Sequence, residues 1–425
     1  MPIAQLDRAS GCGPEGCGFN SLWARIMIYK LQAILGLFVI LGLSFLLSEN
    51  KKKIKLRIIF YGLFLQIFFI IIILKTKVGF LIFNFANKIV YKIIEFSDKG
   101  ASFVFGKLVN DPSIGAFVAF KVLPIIIFVS AFMAILYYFG IIQFFVKIMA
   151  KIMQKSMKIS GAESLGAALL IFMGIESSTA IKEYIKKMTK SEIFTYMTAF
   201  MSTIASSVMA SYVSFGVSAG HLLSASIMSA PAAVMIAKII IPETEEPETM
   251  GYVKFKIEKS ESNLIEAIAN GASVGVQLAI QIGAMLIAFV GLIYMLDGIL
   301  KLFNFSLDKL FGYIFYPFAF IMGVPSSECF TVAKLLGTKT VFNEFIAYLQ
   351  LKPLIEKSAL SYRSIVISTY ALCGFSNFGS IGILIGGLSA IAPDKKSLVA
   401  RLGIKSLIAG TFASFLTAII AGFLV

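Results

Sequence analysis

The sequence predicts an all-α polytopic membrane protein with about eight transmembrane helices, two re-entrant hairpins in an internal inverted repeat, and an interfacial amphipathic helix. Hydrophobic residues make up 58% of the 425 residues, which is more apolar surface than a soluble domain of this size can bury. Several apolar segments are long enough to cross a bilayer. Two shorter ones end at polar, glycine-containing turns, which is typical of hairpins that enter a membrane without crossing it.

Eight apolar segments are candidates for spanning helices. A spanning helix needs about 20 mostly apolar residues. Unpaired backbone groups are costly in hydrocarbon, so these segments should be helical. The candidate spans are 31–47, 56–74, 116–145, 192–217, 222–241, 266–296, 363–391 and 397–425.

Basic residues cluster beside these spans. The net charge is +15, and the clusters lie at 51–57, 147–158 and 182–190. Loops of this kind stay in the cytoplasm by the positive-inside rule, which favours an external N-terminus. No nucleic-acid-binding motif accompanies the charge, so the sequence predicts the lipid bilayer, and no nucleic acid, as a partner.

Residues 1–26 differ from the rest of the chain. They are mostly polar and glycine-rich, and they lack the charged-then-apolar order of a signal peptide. The run "AQLDRASGCGPEG" resembles the conceptual translation of a transfer-RNA gene. We interpret 1–26 as an extension from a start codon assigned too far upstream, and we expect translation to begin at Met27.

An amphipathic helix is predicted at 79–110. Polar side chains recur there every three or four positions between phenylalanines and isoleucines: Asn84, Lys88, Lys92, Glu95 and Lys99. A polar stripe on an apolar helix favours a position in the membrane interface. An ordinary surface helix has the same pattern and stays the alternative.

An internal match predicts the two hairpins. Residues 172–191 align without gaps with 321–340, so that Gly174 pairs with Gly323 and two serines follow each glycine. An arm of about ten helical residues rises roughly 15 Å, half of a 30 Å hydrocarbon core. Interrupted segments in both halves of a chain point to a binding site at the bilayer midplane, with chance similarity between apolar stretches as the alternative.

Three glutamates lie within or beside apolar segments. Carboxylates inside a membrane are candidate functional groups, because they are too costly to face lipid. Glu176 lies at the first predicted tip, Glu328 follows the second, and Glu344 stands in "TKTVFNEFIAYLQL". A buried ion pair or a position near an interface would explain each without a function.

The stretch 369–393, "TYALCGFSNFGSIGILIGGLSAIAP", adds polar groups to an apolar background. Asn377 and Ser380 are three residues apart and share one face of a helix. With Glu344 they offer donors and acceptors for a hydroxyl-rich ligand, and Phe375 could supply an apolar wall. Close packing of small residues alone could explain the glycines of this stretch.

A second polar stretch, "FMSTIASSVMASY" at 200–212, contains Thr203 and two serines. Hydroxyls and carbonyls freed at a helix break can bind a small hard cation, although they also bond routinely within their own helix. With a single histidine and no phosphate-binding lysine loop, the sequence favours neither a zinc protease nor a nucleotide hydrolase. We therefore predict no enzymatic activity and no cofactor.

Five long stretches together resemble the concentrative nucleoside transporters, over roughly 116–425. These stretches are "GIESSTAIKEYIKKMTKSEIFTYMT", "AGHLLSASIMSAPAAVMIAKIIIPETEEPET", "IANGASVGVQLAIQIGAMLIAFVGLI", "MGVPSSECFTVAKLLGTKTVFNEFIAY" and "ALCGFSNFGSIGILIGGLSAIAP". The resemblance implies a homotrimer in the cytoplasmic (inner) membrane of a bacterium, in which a mobile transport domain carries nucleosides inward with a cation. A nucleoside-gated pore, or a facilitator without cation coupling, is the alternative.

The resemblance also implies roles for individual residues. Glu344, Asn377 and Ser380 match the ribose-binding positions of the family, with Phe375 beside them. The residues on the nucleobase side would be Gly174, Ile175, Glu176, Ser177 and Val208. The residues around the cation would be Met173, Thr203 and Ile204.

Two departures from the family pattern affect these roles. The glutamine–threonine pair of the usual first tip is missing, so the preferred nucleobase stays open. Leu170 replaces the asparagine that sodium-coupled members use. Loss of an oxygen ligand should weaken sodium binding, so the coupling ion is either Na+ or H+.

The same resemblance divides the chain into an N-terminal extension, peripheral helices, and alternating scaffold and transport units. The units are the extension 1–26, peripheral transmembrane helices 27–75, the interfacial and scaffold helices 76–158, transport repeat 1 at 159–262, a scaffold helix at 263–312, and transport repeat 2 at 313–425.

Overall fold

The computed structural model describes residues 19–109, 117–251, 261–303 and 305–425, with side chains from Met27 onward. Residues 1–18 of the predicted extension lie outside the described residues. The described ranges hold α-helices with short connections. They are α1 (Phe19–Leu46), α2 (Leu56–Lys75), α3 (Lys77–Phe105), α4 (Leu123–Tyr138), α5 (Ile141–Met157), α6 (Gly161–Leu169), α7 (Ser177–Ala180), α8 (Lys182–Ile185), α9 (Lys190–Ser202), α10 (Ser206–Ser214), α11 (Ala219–Ile240), α12 (Leu264–Lys301), α13 (Leu307–Ile321), α14 (Ser326–Val341), α15 (Glu344–Glu356), α16 (Tyr362–Leu372), α17 (Phe378–Ile391) and α18 (Lys396–Leu424).

The predicted all-α membrane architecture is confirmed. Among the described residues, seven helices are long and apolar enough to cross a bilayer, and up to eight if one bent pair counts as a span. The seven are Met27–Leu46, Leu56–Lys75, Val118–Tyr138, Lys190–Ser214, Ala219–Ile240, Leu264–Lys301 and Pro393–Leu424. The eighth predicted segment, 363–391, is divided into α16 and α17.

Two of the apolar segments are interrupted half-way. Residues 203–205 separate α9 from α10, and residues 373–377 separate α16 from α17. Each interruption leaves backbone donors and acceptors without partners in their own helix. Those groups must be satisfied by neighbouring chain, because lipid offers none.

One end of the bundle carries the basic clusters. Glu49, after α1, forms ion pairs with Lys190 at 2.6 Å and with Lys405 at 2.7 Å, and Arg57 donates to the carbonyl of Ser156. Partial burial raises the pKa of Glu49, but the two lysines outweigh it and hold that pKa below its ordinary value. By the positive-inside rule this end faces the cytoplasm.

The predicted second tip lies at the opposite end of the bundle. Arg363, at the start of α16, donates to the carbonyls of Gly323 and Gly422, each at 2.7 Å. Gly422 is close to the outer end of α18. Gly323 therefore lies near the outer surface, because about ten helical residues of α16 separate it from the interruption at 373–377.

The second re-entrant hairpin consists of α14 and α15, with its tip at Phe342–Asn343. Its base is closed by Glu328, which accepts hydrogen bonds from the backbone and hydroxyl of Ser361. The expected tip at Gly323 is therefore wrong by about twenty residues. Gly323 and Gly174 match in sequence because both stand in a turn before a helix that begins with two serines. Local turn chemistry does not report depth in the membrane.

The first re-entrant hairpin consists of α6, a tip at 170–176, and the short α7 and α8. Its base lies at the cytoplasmic end, where Ser160 donates to Glu192 of α9. The two hairpins enter from opposite surfaces, as an inverted repeat requires.

The remaining helices surround this core. Helices α4 and α12 pack along each other, and α1 and α2 pack on α11 and α18. The predicted amphipathic helix is α3, whose Asn87 accepts a hydrogen bond from Gly220 at the start of α11. Two further amphipathic helices, α5 and α13, were assigned to other elements by the sequence prediction.

Candidate functional site

The carboxylate of Glu344 is the centre of a buried polar cluster. Glu344 is the first residue of α15, whose N-terminus is capped by the side chain of Asn343. Its Oε1 accepts a hydrogen bond from the Tyr212 hydroxyl at 2.9 Å, and its Oε2 accepts one from Asn377 Nδ2 at 3.0 Å. The carboxylate is thus held by partners from two interrupted segments.

Asn377 links Glu344 to the start of α17. Its Oδ1 accepts from the backbone N–H of Ser380 at 2.8 Å, so one amide group caps the helix and fixes the carboxylate. The half-buried Phe375 ring lies 5.4 Å from that of Phe200. The four residues of the predicted ribose set are therefore neighbours around one interruption.

Sequence reasoning missed two tyrosines of this cluster. Tyr212 and Tyr348 are fully buried and stack with their ring centres 4.3 Å apart. The Tyr348 hydroxyl donates to the carbonyl of Thr369 at 2.7 Å. The available signal was a tyrosine at the end of the serine-rich stretch 200–212.

The two interruptions contact each other directly. The backbone N–H of Phe375 donates to the carbonyl of Thr203 at 3.2 Å. A Cβ on Gly374 would lie 2.8 Å from the carbonyl oxygen of Met201, so only glycine permits this approach. The predicted cation set and ribose set thus adjoin.

The predicted cation residues surround the first interruption. Thr203 and Ile204 are buried, and the Thr203 hydroxyl donates to the carbonyl of Ala199. The N–H of Ser206 donates to the carbonyl of Phe172, next to the half-buried Met173, and joins hairpin 1 to α10. Leu170 is fully buried at the end of α6 and supplies no oxygen from its side chain.

The tip of hairpin 1 is folded on itself. Glu176 Oε1 accepts from the N–H of Gly174 at 2.7 Å. Ile175 packs on Gly387 of α17, and the fully buried Ser177 forms a 2.8 Å hydrogen bond with Tyr196. Val208 is buried on α10. Of the predicted nucleobase set, Glu176 lines a cavity. Its carboxylate could accept hydrogen bonds from a nucleobase.

A cavity of about 1040 Å³ leads from this tip towards the cytoplasmic end. It lies between hairpin 1 and the helices α4 and α12. Glu176, Met173 and Ser207 line its inner part, and Lys187 and Glu248 line its cytoplasmic part. The tip of hairpin 1 is therefore accessible from the cytoplasmic side through this cavity.

Comparisons with known proteins agree with this architecture. Models described as the C-terminus and the N-terminus of Na+ dependent nucleoside transporters match residues 221–422 and 35–108. A model described as nucleoside recognition matches 119–219. The nucleoside permease NupC of Helicobacter pylori is 36% identical over 413 residues, which cover 93% of this chain and 98% of that protein. The chain belongs to the concentrative nucleoside transporter family.

Other members of this family are similar over most of the chain. Solute carrier family 28 member 3 of Mus musculus is 44% identical over 423 residues, which cover 94% of this chain. This chain spans about three fifths of that relative's length, since the match covers 60% of it. The structure of CNTnw in an inward-facing, substrate-bound state is 37% identical, with a TM-score of 0.87 over 93% of this chain and 97% of that one.

Proposed function

We propose that this protein imports nucleosides across the cytoplasmic membrane of a bacterium in symport with one small cation, Na+ or H+. The buried cluster of Glu344, Asn377 and Tyr212, where the tip of hairpin 2 meets the two interrupted segments, carries this proposal. A carboxylate inside the bilayer is costly without partners, and this one has hydrogen-bond partners from two separate interrupted segments.

The chemistry of the cluster suits a ribose. A vicinal pair of hydroxyls donates to a carboxylate and accepts from an amide, and Glu344 and Asn377 supply these groups side by side. The hydroxyl of Ser380 and the ring of Phe375 would complete the ribose side. Glu176 would face the nucleobase, with Gly174, Ile175, Ser177 and Val208 around it.

Coupling to a cation is supported by the first interruption. The freed backbone carbonyls near Thr203 and Ile204, together with Met173, adjoin the ribose set. Helix ends of this kind attract cations. The family name favours Na+, whereas the buried Leu170 removes a side-chain oxygen and favours H+, so both ions belong in the test.

We further propose that hairpins 1 and 2 move with the helices packed on them, while α4 and α12 form a fixed scaffold. The long apolar surface of α12 is mostly exposed and would support a homotrimer within the lipid bilayer. The cytoplasmic cavity between hairpin 1 and this scaffold would be the exit for nucleoside. These units correspond to transport repeats 159–262 and 313–425 and to scaffold segments 76–158 and 263–312.

Uptake of radiolabelled uridine and adenosine into proteoliposomes tests the proposal, with Na+ and H+ gradients imposed separately. We expect one gradient to drive accumulation above the external concentration. A pore or facilitator can only equilibrate nucleoside, so uptake that stops at equality under both gradients would support that alternative. Glu344→Gln should reduce uptake at least 100-fold, because it removes a charged acceptor, while the oligomeric state and the helical content stay unchanged.

A further inference from the structure

A fully buried lysine lies beside the Glu344 cluster. Lys339 stands near the inner end of α14 and is 0% exposed. Its Nζ donates a 2.8 Å hydrogen bond to the carbonyl of Ala371. An ammonium group this deep in a membrane protein is costly unless negative groups surround it.

Two negative groups surround this ammonium. The first is the carbonyl end of α16, since Ala371 is in the last turn before the interruption at 373–377. A helix C-terminus is equivalent to roughly half a negative charge. The second is the carboxylate of Glu344, which binds Asn377 at the far end of the same interruption, while Lys339 binds Ala371 just before it.

The first repeat has no such lysine. Lys339 precedes the tip glutamate of hairpin 2 by five residues, and the residue five before Glu176 is Ile171, which is fully buried. Both repeats have a helix that ends at an interruption beside a hairpin tip. In repeat 2 an ammonium group occupies the end of that helix. In repeat 1 the corresponding helix, α9, ends beside Thr203 and Ile204, which we propose to bind the coupling cation.

We propose that Lys339 is a tethered cation, which caps the end of α16 and balances the charge of Glu344 in repeat 2 as the coupling cation does in repeat 1. Lys339 is a positioning residue, because it acts on Glu344 and has no contact with the nucleoside. The two hairpins then supply two carboxylates, Glu176 and Glu344, and one ammonium, so a single further cation neutralises the site. This count of one cation per nucleoside rests on the proposed function.

Thermal unfolding of four proteins in nanodiscs tests the charge balance: wild type, Lys339→Met, Glu344→Gln and the double variant. Lys339→Met leaves Glu344 buried without its counter-charge and should lower the Tm by roughly 5–10 °C. Glu344→Gln leaves the ammonium unbalanced and should also lower it. The double variant should regain at least half of the summed loss, because neither charge remains. Additive losses would overturn the proposal.

Lys238 provides a matched control. It is also buried, but it pairs with Glu163 at 2.8 Å and with Glu243 at 3.1 Å, at the cytoplasmic base of hairpin 1. Lys238→Met combined with Glu344→Gln should therefore show additive losses. If Lys339→Met alone does not fold, recovery of folding when it is combined with Glu344→Gln supports the proposal. The cycle is then repeated with Lys339→Gln in place of Lys339→Met. Additive losses in that second cycle would contradict the proposal.

The cation count is measured separately on the wild type. Uridine flux and ion flux into the same proteoliposomes give the number of cations per uridine. A ratio of about one supports the count, and a ratio of two overturns it. Absence of uridine transport would contradict the proposed function, while the thermal cycle would still decide the role of Lys339.

Discussion

Tyr212 is the residue whose contribution to the site is the simplest to isolate. Tyr212→Phe removes only the hydroxyl that donates to Glu344. A hydrogen bond to a charged group contributes about 1.5–3 kcal/mol, so uridine should bind roughly 10- to 100-fold more weakly. Isothermal titration with purified protein measures this.

Tyr348→Phe is the matched control for that measurement. The two rings stack on each other, but the Tyr348 hydroxyl donates to the carbonyl of Thr369. Its loss should lower the Tm by a few degrees and leave uridine affinity within about threefold of the wild type. Equal losses of affinity in both variants would show that ring packing, rather than the bond to Glu344, sets affinity.

Leu170 is the position at which sodium binding by the first interruption can be tested. Leu170→Asn adds an oxygen ligand beside Met173 and Thr203, so uptake should depend more steeply on Na+ concentration. Uridine uptake measured against Na+, with choline as the replacement ion, checks this. Leu170→Ala, which adds no ligand, should keep the dependence of the wild type, and an unchanged response in Leu170→Asn would exclude this part of the cation site.

At the scale of elements, the position of hairpin 2 predicts opposite outcomes for its two glutamates, Glu328 and Glu344. Glu328 closes the base of the hairpin at the outer surface through its hydrogen bonds with Ser361. Glu344 lies at the tip, as the first residue of the second arm, α15. Glu328→Gln should keep uridine affinity within about twofold and lower the Tm slightly, since a polar partner remains for Ser361. If Glu328→Gln lost as much uridine affinity as Glu344→Gln, Glu328 would lie at the binding site. The tip of the hairpin would then be at Gly323.

The sequence contained enough to predict the helices but not which of them meet. Apolar length identified the spans, and the glutamate and the asparagine in apolar surroundings pointed to Glu344 and Asn377, which share one buried cluster, because such groups have few tolerated positions in a membrane. Gly323 was misplaced because a turn before a helix looks the same at the surface and at the midplane. Tyr212 and Lys339 were missed because their partners, Glu344 and Ala371, are brought to them only by tertiary packing.

At the scale of the whole molecule, Glu49 joins the connection between α1 and α2 to α9 and α18. It bridges Lys190 of α9 and Lys405 of α18 at the cytoplasmic end. Because its pKa is lowered in the folded protein, this linkage is present at cytoplasmic pH and is lost only as the pH falls through that lowered value. We therefore expect α1 and α2 to travel with the repeats.

Cross-linking tests this expectation. Glu49→Cys with Lys405→Cys, in a background whose other cysteines are replaced by serine, should retain at least half of its uridine uptake after treatment with a flexible bifunctional maleimide. Asn270→Cys with Thr179→Cys, which lie on α12 and hairpin 1 across the cavity, should lose uptake after the same treatment. Loss in the first pair would show that α1 and α2 stay with the scaffold.

The cytoplasmic cavity has an electrical consequence. Water that reaches Glu176 through the cavity brings the potential of the cytoplasm with it, so most of the membrane voltage falls across the outer half of the protein, between the hairpin tips and the outer surface. One elementary charge gains about 2.3 kcal/mol per 100 mV. A cation that shifts by a few ångströms at the interruptions would therefore sense about twice the voltage change that the same shift would give across a full 30 Å core.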